Sequence, residues 1–186
     1  MIKKHVLVTT SRNPTKSVRT LCNDFSHILP NVMRINRGKL SLEGIIEKAL
    51  ELNVEKVMII DRWRKGVGKM EFFKVSTNGL IGFPPEVYVQ SVKFRRDFEK
   101  QAFKRIRSVA IVNSKQNFEI EKFERALSEF FDAPILSLKE VDSSKFDCIM
   151  QVEANHLNHI FISFRLVPKL VEVGPRIEIS HLDWKI

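Results

Sequence analysis

Apolar positions follow two different periods along the chain, and together these periods predict an α/β fold. Residues 5–10 form an apolar run that predicts a short buried strand. The apolar positions after it recur at the helical steps of three and one: Val18, Leu21, Cys22, Phe25, Ile28 and Leu29. Pro30 ends this helix, and Ser41 is the expected N-cap of a second helix over residues 42–50.

Short apolar runs between turn residues predict the remaining strands. They cover residues 32–36, 57–60, 70–75, a strand pair near 80–94, then 109–112, 135–138, 146–152, 160–166 and 176–180. A third helix is predicted over residues 120–131, with Pro134 after it. The segment 95–107 carries six cations in RRDFEKQAFKRIR and has no strand alternation, so we expect a short helical or irregular connector.

The second half of the chain partly repeats the first. Two segment pairs match at an offset of 92 residues: VMIID at 57–61 with IMQVE at 149–153, and MEF at 70–72 with ISF at 162–164. Two single positions match at an offset of 103: Val6 with Val109, and Val32 with Ile135. The difference is about one helix, so the pattern predicts a duplicated α/β unit whose second copy lost the Ser41-capped helix. Apolar alternation alone could also produce such matches.

The repeat suggests how the chain is organised. We expect one domain over residues 1–186, with an N-terminal half at about 1–94, the connector 95–107 and a C-terminal half at about 108–186. A chain of 186 residues is long enough to bury a sizeable core, and 44% of its residues are apolar. Without an apolar run near 18 residues or a signal-peptide pattern, we expect a soluble cytoplasmic protein and no membrane partner.

Cysteine and histidine spacing gives no sign of a metal site. Cys22 and Cys148 are far apart and lie within apolar patterns, which favours buried free thiols over a disulfide. His156 and His159 are three residues apart, but they fall in a predicted hairpin with no third ligand nearby. We therefore predict no metal and no cofactor.

Charge is distributed unevenly between the two parts of the chain. Residues 1–107 hold 22 Lys and Arg against 10 Asp and Glu, and residues 108–186 hold 9 against 12. The whole net charge of +9 therefore comes from the first part of the chain, at +12, while the second part stands at −3. A concentrated positive surface attracts polyanions, which favours nucleic acid as the partner.

The loop TTSRNPTKSVR at residues 9–19 links the first strand to the first helix. A strand–loop–helix junction can hold an anion, so one interpretation is the phosphate site of an enzyme acting on a phosphorylated substrate or nucleic acid. The loop lacks the glycines of a phosphate loop, and KGVGK at residues 65–69 precedes a strand rather than a helix. Thr15 is the expected N-cap after Pro14, which leaves Thr10 and Ser11 as hydroxyls without a structural role.

Phosphate-backbone binding of RNA is the better-supported interpretation. KGVGKMEF at residues 65–72 partly fits the signature of the RNA-recognition motif, but Val67 and Lys69 stand where stacking aromatics are needed. Cations and hydroxyls at strand ends, in turns and on a first helical turn could instead converge on one edge of the sheet. These predicted RNA-binding residues are Thr10, Ser11, Arg12, Lys16, Arg19, Arg34, Arg37, Lys39, Arg62, Arg64, Lys65 and Lys69.

Three motifs resemble the Brix domain family, over residues 5 to 182. TTSRNPTKSVR and INRGKLSLEGIIEKAL at 35–50 resemble the family's opening segments, and LVEVGPRIEI at 170–179 is similar to its closing Glu-x-Gly-Pro-Arg strand pair. Asn13 replaces a residue that is often basic in the family, and residues 76–89 lack the Leu-Pro-x-Gly-Pro-Thr run of eukaryotic members. Without long basic tails, the chain resembles the minimal archaeal form.

The resemblance implies a ribosome biogenesis factor that binds ribosomal RNA or its precursor as a non-enzymatic scaffold or chaperone in ribosomal RNA processing. It also implies two similar α/β halves, related in fold to the anticodon-binding domain of class II aminoacyl-tRNA synthetases. A tRNA-binding accessory domain would share that fold and stays open as an alternative. The less basic C-terminal half is free to bind a ribosome-assembly protein.

Overall fold

The computed structural model describes residues 5–63, 66–98, 105–156 and 159–185, and within these ranges it is a mixed α/β structure. Its helices are α1 (Lys16–Ile28), α2 (Leu42–Glu51) and α3 (Phe118–Phe131). Its strands are β1 (Val6–Thr10), β2 (Val32–Arg34), β3 (Lys56–Trp63), β4 (Gly66–Ser76), β5 (Gly79–Lys93), β6 (Val109–Val112), β7 (Ile135–Leu136), β8 (Cys148–Ala154), β9 (Ile160–Leu166), β10 (Val171–Glu172) and β11 (Arg176–Asp183). None of the described helices is long and apolar enough to cross a membrane.

The strands of the described ranges form one sheet in the order β2-β1-β3-β4-β5-β11-β9-β8-β6-β7, with β10 paired beside β9. β1 pairs in parallel with β2 and β3, and β6 pairs in parallel with β7 and β8. The other pairs are antiparallel, and β5 and β11 join the two halves in the middle of the sheet. The parallel strands of each half therefore end at a common edge.

Strand register follows the 92-residue offset but only part of the 103-residue offset. Met58 lies opposite Phe72 in the first half, and Met150 lies opposite Phe164 in the second. The predicted match of Val32 with Ile135 is wrong by two residues. Val32 pairs with Val6, so Ile135 should pair with Val109. It pairs instead with Ile111, two residues further along β6. Between β7 and β8 the second half has a short 3-10 turn at Leu138–Glu140 where the first half has α2.

One prediction of secondary structure was wrong, and one short strand was missed. The expected strand pair near 80–94 is the single strand β5, 15 residues long. Its pairing with β4 shifts register around Pro84 and Pro85, because a proline has no N–H for the ladder and is accommodated at a bulge. The short strand β10 was not predicted, since two residues give no periodicity. In the connector, Arg95–Asp97 forms a 3-10 turn, while residues 99–104 lie outside the described ranges.

Helix α1 begins and ends where local chemistry predicts. The Thr15 hydroxyl accepts a hydrogen bond from the N–H of Val18, which satisfies a backbone donor that the helix itself leaves unpaired. The predicted apolar stripe is buried, and Leu29 is the C-cap before Pro30. The start of α1 therefore fixes the position of the preceding loop.

Helices α1 and α3 pack on one face of the sheet and share its main core. Phe130 of α3 reaches Phe72 and Phe83 in the first half, with ring centroids 4.7 Å and 5.5 Å apart. Helix α1 of the first half likewise contacts the second half, because the ring centroids of Phe25 and Phe164 are 6.5 Å apart. Each helix therefore packs against strands of both halves.

The opposite face of the sheet is covered by α2 over β1, β3 and the neighbouring parts of β4 and β5. Ile45 and Ala49 of α2 pack there against Leu7, Val57 and Ile59. No described helix covers the equivalent face of β8 and β9. We call this part the open face of the second half; Glu153, Phe161 and Arg165 are partly exposed there, although Ile149 and Ser163 are buried.

The two cysteines are buried free thiols, as the sequence predicts. Burial raises the pKa of both Cys22 and Cys148 to about 12, so both thiols stay protonated near neutral pH. Protonated buried thiols are chemically inert and serve as small apolar side chains.

Candidate nucleic-acid interface

Most of the predicted RNA-binding cations lie at one edge of the sheet, where parallel strands β1, β2 and β3 end. The loop 11–15 follows β1, and the loop 35–41 follows β2, so both loops start from this edge. We call this surface the basic edge, and it consists of Arg12, Lys16, Arg19, Arg34, Arg37, Lys39 and Arg62. Arg64 and Lys65 were also predicted, but they lie outside the described residues.

Five of these cations are exposed: Arg12, Lys16, Arg19, Lys39 and Arg62. Arg19 donates to the carbonyl oxygen of Pro14 over 2.7 Å, which holds its guanidinium against the loop. Within the described ranges, Arg12, Lys16, Lys39 and Arg62 form no salt bridge. Their charges are therefore available to an anion from solution.

Arg37 has a different role from the exposed cations because its side chain is only 8% exposed. Its Nε donates to the carbonyl oxygen of Leu40 over 2.8 Å, and its Nη1 lies 3.4 Å from the carbonyl oxygen of Thr10. Burial and the nearby charge of Arg12 lower the pKa of Arg37, and the carboxylate of Asp61 opposes this. Arg37 therefore links the turn before α2 to the end of β1 through its hydrogen bonds. Its positive charge is buried beneath the exposed cations.

Thr10 and Ser11 are not the unoccupied hydroxyl residues that the sequence suggested. Thr10 is 5% exposed, and the Ser11 hydroxyl donates to a carboxylate oxygen of Asp61. The same oxygen of Asp61 accepts from the backbone N–H of Arg62 over 2.6 Å. This bonding ties the loop after β1 to the end of β3, so the Ser11 hydroxyl positions the loop and is not free.

Arg34 and Lys69 are held by neighbouring side chains. Arg34 donates to Asn36 over 2.8 Å and lies 3.4 Å from the side-chain oxygen of Asn23. Lys69 on β4 forms salt bridges of 3.0 Å with Glu71 and 2.8 Å with Glu86. Burial alone would lower the pKa of Lys69, but hydrogen bonds and charge from both glutamates outweigh burial and raise it. Lys69 is therefore charged but neutralised by its neighbours.

A row of paired residues runs from the basic edge over β4, β5 and β11, on the face of the sheet opposite the main core. Asp61 lies opposite Lys69, Lys69 opposite Tyr88, and Tyr88 opposite His181. The rings of Tyr88 and His181 are stacked, with centroids 4.2 Å apart and planes 11° apart. Sequence reasoning missed this pair, because the two residues lie on strands far apart in the chain and no local period connects them.

Among the described residues, no group of three or more His, Cys, Asp or Glu side chains could hold a metal ion. His159 Nδ1 lies 3.0 Å from a carboxylate oxygen of Glu178. Glu153 lines an open cavity of about 410 Å³ on the uncovered face of β8 and β9, with Phe161, Ser163, Arg165 and Arg176.

No protein-family model matches the chain. Curated archaeal relatives match most of its length. The "Probable Brix domain-containing ribosomal biogenesis protein" of Pyrococcus horikoshii is 26% identical over 190 residues, which covers 94% of this chain and 83% of that protein. A protein of the same name from Methanococcus maripaludis is 27% identical over 126 residues, covering 68% of this chain and 66% of that protein.

Solved structures share the fold. A probable ribosomal biogenesis protein from Aeropyrum pernix K1 superimposes with a TM-score of 0.79 at 19% identity, covering 95% of both chains. Mil, an archaeal Imp4-like protein, gives a TM-score of 0.64 at 16% identity, covering 96% of this chain and 99% of that chain. The fold is thus that of archaeal Imp4-like and ribosomal biogenesis proteins. Curated relatives named as Brix-domain ribosomal biogenesis proteins thus match this chain along most of its length.

Proposed function

We propose that this protein is a member of the Brix-domain family and acts in ribosome biogenesis as a non-enzymatic factor that holds ribosomal RNA, or its precursor, by the phosphate backbone. The observation that carries the proposal is the set of exposed, unneutralised cations at the basic edge, placed there by the ends of three strands. Contacts of this kind position an RNA without reading its sequence. The expected place of action is the cytoplasm, during processing and assembly of the RNA.

The basic edge is better suited to a scaffold than to catalysis. The carboxylate of Asp61 is bonded to the loop, and it already accepts hydrogen bonds from Ser11 and from the backbone of Arg62. An acid or base used in catalysis needs access to the proton that it transfers. Asp61 instead organises the loops that present Arg12 and Lys16.

Electrophoretic mobility shift with full-length protein tests the proposal. We expect fragments of ribosomal RNA to be retarded and transfer RNA to compete poorly, with an affinity that falls as salt rises because phosphate contacts release counterions. A screen of the same preparation for turnover of phosphorylated small molecules and RNA should show none. Equal competition by transfer RNA would favour the accessory-domain alternative, and turnover would favour an enzyme.

The two halves support a further structural proposal, that they descend from one duplicated unit resembling an anticodon-binding domain. One strand pair of each half has the same register when residue numbers are shifted by 92. Met58 lies opposite Phe72 in the first half, and Met150 lies opposite Phe164 in the second. The parallel pairing is also the same in both halves, because β1 lies between β2 and β3 and β6 lies between β7 and β8. Because core contacts cross between the halves, we propose that residues 1–186 form one domain rather than two.

The open face of the second half is the proposed site for a ribosome-assembly protein. In the first half, α2 covers the equivalent strands, whereas here polar side chains line the cavity of about 410 Å³. The side-chain oxygen of Gln151 and the Nε of Arg165 are buried and have no hydrogen-bond partner among the described residues. Buried polar atoms without partners are costly, and a rearrangement of these two side chains on binding would let a protein segment satisfy them.

A charge reversal in this cavity tests the protein partner. The change Glu153→Arg should abolish cross-links between the cavity and an assembly protein in cells, while ribosomal RNA binding at the basic edge is kept. Photo-cross-linking from position 161, followed by mass spectrometry, measures the first, and mobility shift measures the second. Glu119→Arg makes the same charge change at an exposed site on α3 and should keep both activities. Cross-links that persist in Glu153→Arg would place the partner elsewhere.

A further inference from the structure

The stacked pair of Tyr88 and His181 lies on the face of the sheet opposite the main core. Their neighbours Val87 and Val89 on β5 point into that core and are almost fully buried, so Tyr88 between them points the other way. His181 is exposed, and it stacks on Tyr88 from the adjacent strand. One ring of the pair is thus packed, and the other is open to solvent.

Hydrogen bonds fix the position of both rings. The hydroxyl of Ser180 donates to the carbonyl oxygen of Tyr88 over 3.0 Å and lies 3.2 Å from Nδ1 of His181. The Tyr88 hydroxyl donates to Glu86 over 3.1 Å, and the ammonium of Lys69 lies 5.7 Å from the centre of the tyrosine ring. A ring pair held in this way loses little conformational freedom when a third ring stacks on it.

We propose that His181, stacked on Tyr88, is a platform for an unpaired base of single-stranded RNA bound at the basic edge. This inference rests on the proposed RNA-binding function and adds a base contact to it. Aromatic side chains that offer a free face bind bases of any sequence by stacking. The RNA-recognition-motif signature is incomplete in this chain, yet strand pairing supplies a stacking surface from other residues.

Position and charge both favour a base as the occupant. The residue row from Asp61 to His181 crosses three strand spacings, about 14 Å, which a short single-stranded segment can span. Glu86 and Glu71 neutralise Lys69, and Asp183 lies opposite Glu86 on the next strand. The negative charge of these carboxylates repels phosphate. The platform should therefore bind the uncharged base, while the basic edge holds the phosphate backbone.

Two RNA probes separate base stacking from phosphate contacts. One is a short, labelled single-stranded RNA of mixed sequence, and the other is an abasic strand with the same number of phosphates. We expect His181→Ala to weaken binding of the base-bearing RNA by about fivefold or more, as for other stacking residues. Its affinity for the abasic strand and its salt dependence should not change, and His181→Phe should restore base binding.

Phe118→Ala is the matched control, because Phe118 is 75% exposed at the start of α3 and lies outside the residue row. It should bind both RNAs as the unmodified protein does. An equal loss of both RNAs in His181→Ala, or no loss of either, would overturn the platform and leave the basic edge intact. Failure of the unmodified protein to bind either RNA would instead overturn the RNA-binding function itself. Thermal unfolding monitored by circular dichroism checks that each variant is folded.

Discussion

Reversing two exposed cations of the basic edge, Arg12→Glu with Lys16→Glu, should weaken binding of ribosomal RNA fragments by roughly tenfold to a hundredfold at moderate salt. Each cation that neutralises one phosphate adds about 0.7–0.9 to the slope of log affinity against log salt. Loss of two such contacts should therefore flatten the slope by about 1.4–1.8. Fluorescence anisotropy over a salt series measures both quantities.

Arg12 and Lys16 suit this test better than Arg37. Both are exposed and form no salt bridge in the described structure, so reversing them removes surface charge and little else. Arg37 is buried and bonds two carbonyl oxygens, and a glutamate there would leave those acceptors unpaired and disturb the loop. A weak Arg37 variant would therefore not distinguish lost phosphate binding from a displaced loop.

The matched control carries the same total change of charge on the other half of the chain. Lys139→Glu with Lys145→Glu alters two exposed lysines that lie outside the basic edge. If RNA binding depends on net charge alone, this control should weaken binding as much as the first pair does. If both pairs leave affinity and salt slope unchanged, the basic edge is not the RNA site.

The largest effect on stability is expected for Phe130→Ala. The Phe130 side chain is 1% exposed, and its ring centroid lies 4.7 Å from Phe72, 5.5 Å from Phe83 and 5.1 Å from Phe131. Truncating a buried phenylalanine costs about 3–5 kcal/mol through lost burial and the cavity left behind. We expect the free energy of unfolding to fall by about this amount. The melting temperature Tm should fall by an amount on the order of 10 °C.

Calorimetry and urea titration measure this loss, with Phe118→Ala as the comparison. Phe118 is 75% exposed, so its truncation should change stability by less than about 0.5 kcal/mol. Because Phe130 joins α3 to strands of the first half, a single cooperative transition should persist in both variants. Two separate transitions would contradict a domain whose core is shared between the halves.

Local interactions explain which features could be read from the sequence. The cap at Thr15 and the stripe of α1 depend on residues within one or two turns, and both are as predicted. Parallel strands end at a common edge, so the predicted cations of the loops and strand ends converge there. Such features need no knowledge of which distant strands are neighbours.

Features that depend on distant neighbours could not be predicted in this way. Arg12 and Arg37 look alike in the sequence, but only Arg37 is enclosed, because the turn before α2 folds onto the end of β1. Lys69 looks like a free cation until β5 brings Glu86 beside it. Likewise, the partner of Tyr88 is 93 residues away, at the register that β11 adopts.

The two ends of the sheet restrict how another chain can attach. The outermost strands are β2, with 3 residues, and β7, with 2 residues. Strands so short present few unpaired N–H and C=O groups, and such edges are poor templates for adding a strand from another molecule. Fibrous self-association through these edges is thereby discouraged even at high local concentrations of the protein. We therefore expect a binding partner to use loops, helices or a flat surface of the sheet instead.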